Sequence, residues 1–185
     1  ANSLFFKFIK KNYEDFLTSN DKPIFSHTLL KEVVFPELKT SENGTLLVVI
    51  DNLRLDQFRI LEPYVNNHFK KEKEESFFSI LPTATQYARN AIFSGLMPSE
   101  MERMYPEFWR NDTDEGGKNL YENEFLSAQI KRLNLPIKHE YYKPLSSGDN
   151  LFWAIHLKNE GKENFDFICR KKGELFKTQQ ILKNE

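Results

Sequence analysis

The chain has 185 residues, 39 % of them apolar, with 26 Lys and Arg against 27 Asp and Glu. That length suits one ordinary domain with a core of its own, and the balanced charge excludes non-specific capture of nucleic acid by a basic surface. The lone Cys169 excludes an internal disulfide framework and a cysteine-based zinc cluster, which fits a cytoplasmic setting.

At the N-terminus, Leu4, Phe5, Phe8, Ile9, Phe16 and Leu17 recur at mostly helical spacing between lysines and Glu14, which predicts an amphipathic helix over 3–18. Its charges follow the apolar residues, the reverse of a signal peptide, and the missing initiator Met points to a processed chain or a piece of a longer one. Phe5, Phe8 and Phe16 offer an apolar stripe for the chain's own core or for a second copy in a homodimer. A second helix is expected from Ser26 to Leu38, interrupted at Pro36, and a polar turn over 40–44. Residues 1–40 thus read as a helical lead-in.

Thr45 to Ile50 is short, apolar without alternation and β-branched in its second half, the pattern of a strand covered on both faces in a parallel sheet. The following pattern is a helix through Leu55, Phe58, Leu61 and Tyr64, a charged connection over 70–75, a strand from Ser76 to Leu81 and a helix from Thr85 to Gly95. That alternation predicts a right-handed crossover and a parallel α/β sheet. Residues 99–119 are rich in charged residues, Asn and Gly and read as a long loop. A helix is expected over 120–133, with Leu120, Phe125, Leu126, Ile130 and Leu133 inward. Short strands are expected at 137–143 and 164–169, with a loop over 145–150. No stretch reaches the ~18 apolar residues needed to span a bilayer, so no membrane insertion is expected.

Two positions carry the chemistry. Asp51 ends the apolar strand, at the sheet edge where α/β proteins bind ligands, and suits either a cation or the N-cap of the next helix. Thr83 and Thr85 lie where the second strand enters a helix, so a hydroxyl there suits either attack on phosphorus beside the positive helix end or a simple cap. Together they place an acid and an alcohol at one edge of neighbouring strands, as a metal-activated nucleophile requires.

The segments Val-Val-Ile-Asp-Asn-Leu-Arg (48–54) and Ser-Ile-Leu-Pro-Thr-Ala-Thr-Gln-Tyr-Ala-Arg-Asn-Ala-Ile-Phe-Ser-Gly-Leu-Met-Pro-Ser-Glu (79–100) closely resemble the PglZ domain of the alkaline phosphatase superfamily. More narrowly, the resemblance is to the PglZ effector domain of response regulators in two-component systems tied to type IX secretion. Trp109-Arg110-Asn111, Glu115 to Asn119 and Leu126 to Gln129 extend it.

The resemblance implies an alkaline-phosphatase-like three-layer α/β sandwich with a mainly parallel sheet, residues 41–185 forming its N-terminal part. It implies Thr85, rather than Thr83, as the nucleophile of a zinc-dependent phosphodiesterase acting on nucleotide or oligonucleotide phosphodiesters, with Asp51 and Thr85 as ligands of one metal. Two zinc ions are implied for the complete domain, with the remaining ligands beyond this chain, because His27, His68, His139 and His156 lack the strand-end Asp-x-x-x-His context.

Asn111 is a candidate donor to a phosphate oxygen or a turn residue, and Arg89 and Arg110 are candidate cations or solvent-facing side chains. Gly116-Gly117-Lys118 lacks the rest of a P-loop. Phe77, Phe78, Phe108 and Trp109 suit either base stacking or the core. The rival function is a non-catalytic signalling module that binds secretion-system regulatory proteins or a nucleotide.

Overall fold

A computed structural model describes residues 2–19, 22–40, 44–142 and 152–159. The elements are α1 (Asn2–Thr18), a π-helical turn (Leu30–Val34), α2 (Phe35–Thr40), β1 (Thr45–Ile50), α3 (Leu55–Asn66), α4 (Thr85–Ser94), α5 (Pro98–Met104), α6 (Glu122–Arg132), β2 (Ile137–Tyr142) and β3 (Phe152–Asn159). The turn expected over 40–44, the loop at 145–150 and the strand at 164–169 fall largely or wholly outside the described residues.

The core gathers around α4 and α6. Ala91 and Phe93 of α4 meet Phe125, Leu126 and Ile130 of α6, while Phe25, Leu30, Phe35 and Leu38 from the N-terminal region and Leu157 of β3 complete the packing. Residues 26–38 do not form one helix broken at Pro36. The Phe35 N–H reaches back five residues to the Leu30 carbonyl, and Pro36, which has no N–H to donate, sits in the first turn of α2.

The sheet corrects the expected parallel arrangement. Its order is β1-β3-β2, and both pairings are antiparallel, with Leu47 opposite Ile155 and Tyr141 opposite that same residue. Nor is β1 covered on both faces. Leu47 and Val49 pack on the core, whereas Leu46, Val48 and Ile50 remain nearly half exposed, so an unalternating apolar sequence has an alternating environment. The segment 76–81 is no strand of this sheet. It runs beside residues 24–26 through a single parallel bridge between Phe25 and Phe78, with Phe78 N–H donating to the Ile24 carbonyl at 2.8 Å.

α1 docks through its second half only. Tyr13 accepts the Leu81 N–H at 2.8 Å, and Phe16 and Phe25 both ring Phe78, at centroid distances of 6.1 and 5.7 Å. Leu4, Phe5, Phe6 and Phe8 are exposed. Residues 99–119 are not all loop either. Pro98 opens α5 at a position where its missing N–H costs nothing, and Glu100 caps the turn by accepting the Met97 N–H at 2.9 Å. In α6 the inward set holds for Phe125, Leu126 and Ile130, but Leu120 precedes the helix and is exposed.

The charged connection after α3 is an ion-pair lattice on the surface: Arg59 and Lys71 each bridge Glu62 and Glu74. The Arg59 hydrogen bond, with help from Lys71, holds the Glu74 carboxyl down at about 2.

Candidate functional site

Thr85 opens α4. The N-cap is Ala84, in extended backbone with φ −58° and ψ 142°, so the Thr85 hydroxyl does not serve as a cap, and the residue is exposed. The Ala84 carbonyl accepts from Tyr87 and Ala88 at 2.9 and 3.0 Å, which leaves the Thr85 and Gln86 N–H groups at the open, positive end of the helix. Upstream, the Leu81–Pro82 peptide is cis. At the far end the helix stops because Gly95 adopts φ +65°, a left-handed conformation that glycine enters without strain.

Asp51 lies in the turn that follows β1, where Asn52 takes φ +58°. It is not the cap of α3, whose N-cap is Arg54. One carboxylate oxygen of Asp51 accepts from Arg89 Nη1 at 3.0 Å, and its side chain is one-third exposed. Arg89 is 8 % exposed, which rules out the solvent-facing reading. Its Nε donates to Glu122, a carboxylate buried to 1 % at the start of α6, and the Tyr141 hydroxyl of β2 donates to the same carboxylate. Burial first, and Glu122 second, push the Tyr141 phenol far above its ordinary range, so it remains a donor.

Residues four apart share a helix face, so Arg89 lies one turn beyond Thr85 on the same side of α4. The guanidinium holds the candidate acid from the helix that carries the candidate alcohol. No direct bond joins Asp51 and Thr85.

The 109–119 segment covers the first half of α4. Asn119 Nδ2 donates to the Thr85 carbonyl at 3.3 Å, Asn90 Nδ2 donates to the Lys118 carbonyl at 3.1 Å, and the Tyr87 hydroxyl donates to Asp112 at 2.9 Å. Asn111 is engaged within this segment. Its Oδ1 accepts from the Trp109 indole at 3.0 Å, its N–H donates to Asp114 at 2.6 Å, and its carbonyl accepts from Asp114 N–H, a turn as the sequence allowed. Arg110 is committed to the Trp109 carbonyl and to Tyr121, over whose ring it also lies. Trp109 is buried, and Phe108 stacks on Tyr105 and Tyr121, which places both in the core rather than free to stack on a base.

Among the histidines, His27 and His139 are both held below the usual imidazole range by burial, with Lys22 adding to the effect at His27. His139 Nε2 lies 3.1 Å from Asn123 Oδ1 and 3.3 Å from Ser127 Oγ. Among the described residues no three His, Cys, Asp or Glu side chains converge on one point. A shallow hollow of about 610 Å³ at the end of α3, lined by residues 66–71, includes neither Asp51 nor Thr85.

Residues 29–150, two thirds of the chain, match the BREX system PglZ alkaline phosphatase-like domain. The chain belongs to the PglZ family. Among curated proteins no match is found. The PglZ match spans β1, Asp51, all of α4 and the covering segment with Asn111, so every candidate residue lies inside it. Membership makes this an α/β, phosphatase-like domain of a superfamily that generally uses metal ions, and none of the described helices is long and apolar enough to cross a membrane.

Sequence reasoning missed Glu122 and Tyr141. Glu122 reads as an ordinary acidic residue in a first helical turn, and only its burial beside Arg89 distinguishes it from Glu124.

Proposed function

We propose that this PglZ domain belongs to a cytoplasmic response-regulator effector of the PorX type and cleaves nucleotide or oligonucleotide phosphodiesters through Thr85. The observation that carries the reading is the exposed Thr85 at the open end of α4, the helix whose Arg89, one turn further on, holds Asp51. In the first step Thr85 Oγ gives its proton to water and attacks phosphorus, the P–O bond to the leaving group breaks, and the departing alkoxide takes up a proton from water. Water then attacks the phosphorus of the esterified phospho-threonine, the bond to Thr85 Oγ breaks, and the phosphomonoester product leaves with the hydroxyl restored. The two unpaired N–H groups of the first turn of α4 favour the negative charge of the phosphoryl oxygens. Asn111 Nδ2, which donates to Glu102 at 3.4 Å, is the candidate donor to a phosphoryl oxygen on the covering segment.

Zinc, two ions in the complete domain, belongs to the same proposal. Asp51 and Thr85 supply two oxygen donors, whereas zinc takes three or four protein ligands, so the described residues do not complete a site. Bound there, zinc would supply Lewis acidity and lower the pKa of the attacking hydroxyl. The exposed Leu46, Val48 and Ile50 on one face of β1 support a further layer of an alkaline-phosphatase-like sandwich. The exposed stripe on α1 supports a homodimer.

The incomplete donor set, with Asp51 already paired with Arg89, favours a second reading: a signalling module that binds secretion-system regulatory proteins or a nucleotide without hydrolysis. Thr85→Ala decides between them. With bis(4-nitrophenyl) phosphate and added Zn²⁺, the enzyme reading expects a fall in kcat of roughly 10³-fold or more with an unchanged circular dichroism spectrum, and a phospho-threonine trapped by acid quench in the parent. Turnover that survives the substitution overturns the assignment of the nucleophile.

A further inference from the structure

A carboxylate as deeply buried as Glu122 persists only where donors compensate its lost hydration. Here the donors are Arg89 Nε and the Tyr141 hydroxyl. The same guanidinium reaches Asp51 through Nη1 at 3.0 Å. Because the five N–H groups of arginine lie in one rigid plane, fixing Nε on Glu122 also fixes the direction of Nη1, and with it the carboxylate that accepts from it. Glu122 sits on α6, Arg89 on α4 and Asp51 beyond β1, so the link crosses three elements whose mutual packing is set by the core. Arg89 also lies on the helix that Thr85 opens, one turn further on, so the element that carries the alcohol also holds the acid.

We propose that Glu122, acting through Arg89, is a positioning residue that sets the orientation of the Asp51 carboxylate relative to Thr85. The proposal rests on the phosphodiesterase reading for its functional consequence and on the three side chains for its geometry. It also assigns Arg89 away from substrate. Its side chain is 9 % exposed, and its Nε and Nη1 are spent on two carboxylates, so it is poorly placed to bind a phosphoryl oxygen. A misplacement of about 1 Å in such a constellation typically costs on the order of 10²-fold in rate.

The test makes two measurements on the protein that carries the complete domain, since the described residues do not complete a zinc site. The Arg89 side-chain Nε–H resonance, observed by ¹⁵N-edited NMR, reports the link without activity. Asp51→Asn shifts it in the parent, and this shift disappears when Glu122→Gln has already freed the guanidinium, with the backbone spectrum otherwise retained. Kinetics with bis(4-nitrophenyl) phosphate and Zn²⁺ report the consequence. Glu122→Gln lowers kcat about 10-fold and Arg89→Lys about 100-fold, each with KM within twofold of the parent. Neither lowers it further in an Asp51→Asn background, because residues acting as one unit are not additive.

A rise in KM at unchanged kcat would put Arg89 on the substrate and overturn the proposal. So would an active parent whose kcat is indifferent to Glu122→Gln, or an Nε–H shift on Asp51→Asn that persists in that variant. A parent silent toward the ester with the NMR coupling intact sinks the phosphodiesterase reading and leaves the positioning link standing.

Discussion

Gly95 ends α4 with its Cα against Gln129 of α6, and replacing it with alanine tests both roles. Its φ of +65° is left-handed, which costs an L-residue about 1–2 kcal/mol. A Cβ at this position would stand 2.2 Å from Gln129 Nε2 and 2.8 Å from Gln129 Cδ. Those atoms are the end of a flexible side chain, but Gln129 is 1 % exposed and has Arg132 beside it, whose Nη2 donates to the Ser94 carbonyl at 2.5 Å. Relief therefore requires a buried rearrangement, typically about 1–3 kcal/mol, for a total of about 2–5 kcal/mol. Gly116→Ala supplies the control. Its φ is +85° with nothing within 4 Å of the new methyl, so it bears the backbone cost alone, about 1–2 kcal/mol. Urea unfolding followed by circular dichroism measures both, and in a chain of this size each kcal/mol moves Tm by about 2–4 °C. Equal losses at the two glycines, or a loss below about 1 kcal/mol at Gly95, would refute the claim that Gln129 blocks this site.

Tyr141→Phe keeps the edge-on ring contact with Phe93 and removes only the hydroxyl that donates to Glu122. It should cost about 1.5–3 kcal/mol in urea unfolding, the range for a hydrogen bond to a charged group, and a loss under about 0.5 would mean that Glu122 does not depend on it. His27 and His139 both have folded-state pKa values below the ordinary 6.5. As pH falls through that value the unfolded chain binds protons first, so stability is full above it and declines below it. The melting temperature should drop between pH 7.5 and 5.5, and His139→Gln should flatten that slope. A slope unchanged in both His139→Gln and His27→Gln would locate the pH dependence elsewhere.

Local signals carried a good part of this protein. The apolar run Thr45 to Ile50 marked β1 to the residue, the i, i+3 and i+4 spacing marked α1 and α6, and Thr85 and Gly95 bracketed α4. The dense motif around Asp51 and Thr85 pointed to the family in which two thirds of the chain falls. Each of these depends on neighbours in sequence, whether through propensity, periodicity or the left-handed freedom of a glycine. Pro98 and Glu100 were equally local signals for α5, submerged in a charge-rich stretch that reads as loop.

Tertiary structure alone decided the rest. An apolar strand carries no mark of its partner's direction, so the antiparallel pairing of β1 with β3 and the bare face of Leu46, Val48 and Ile50 depend on which chain segment arrives beside it. The link from Asp51 through Arg89 to Glu122 and Tyr141 joins residues 38, 33 and 19 positions apart. Charges of that kind look like ordinary surface residues until the packing of α4 against α6 removes the water around them, and it is desolvation that turns an arginine and a glutamate into a fixed frame for the aspartate.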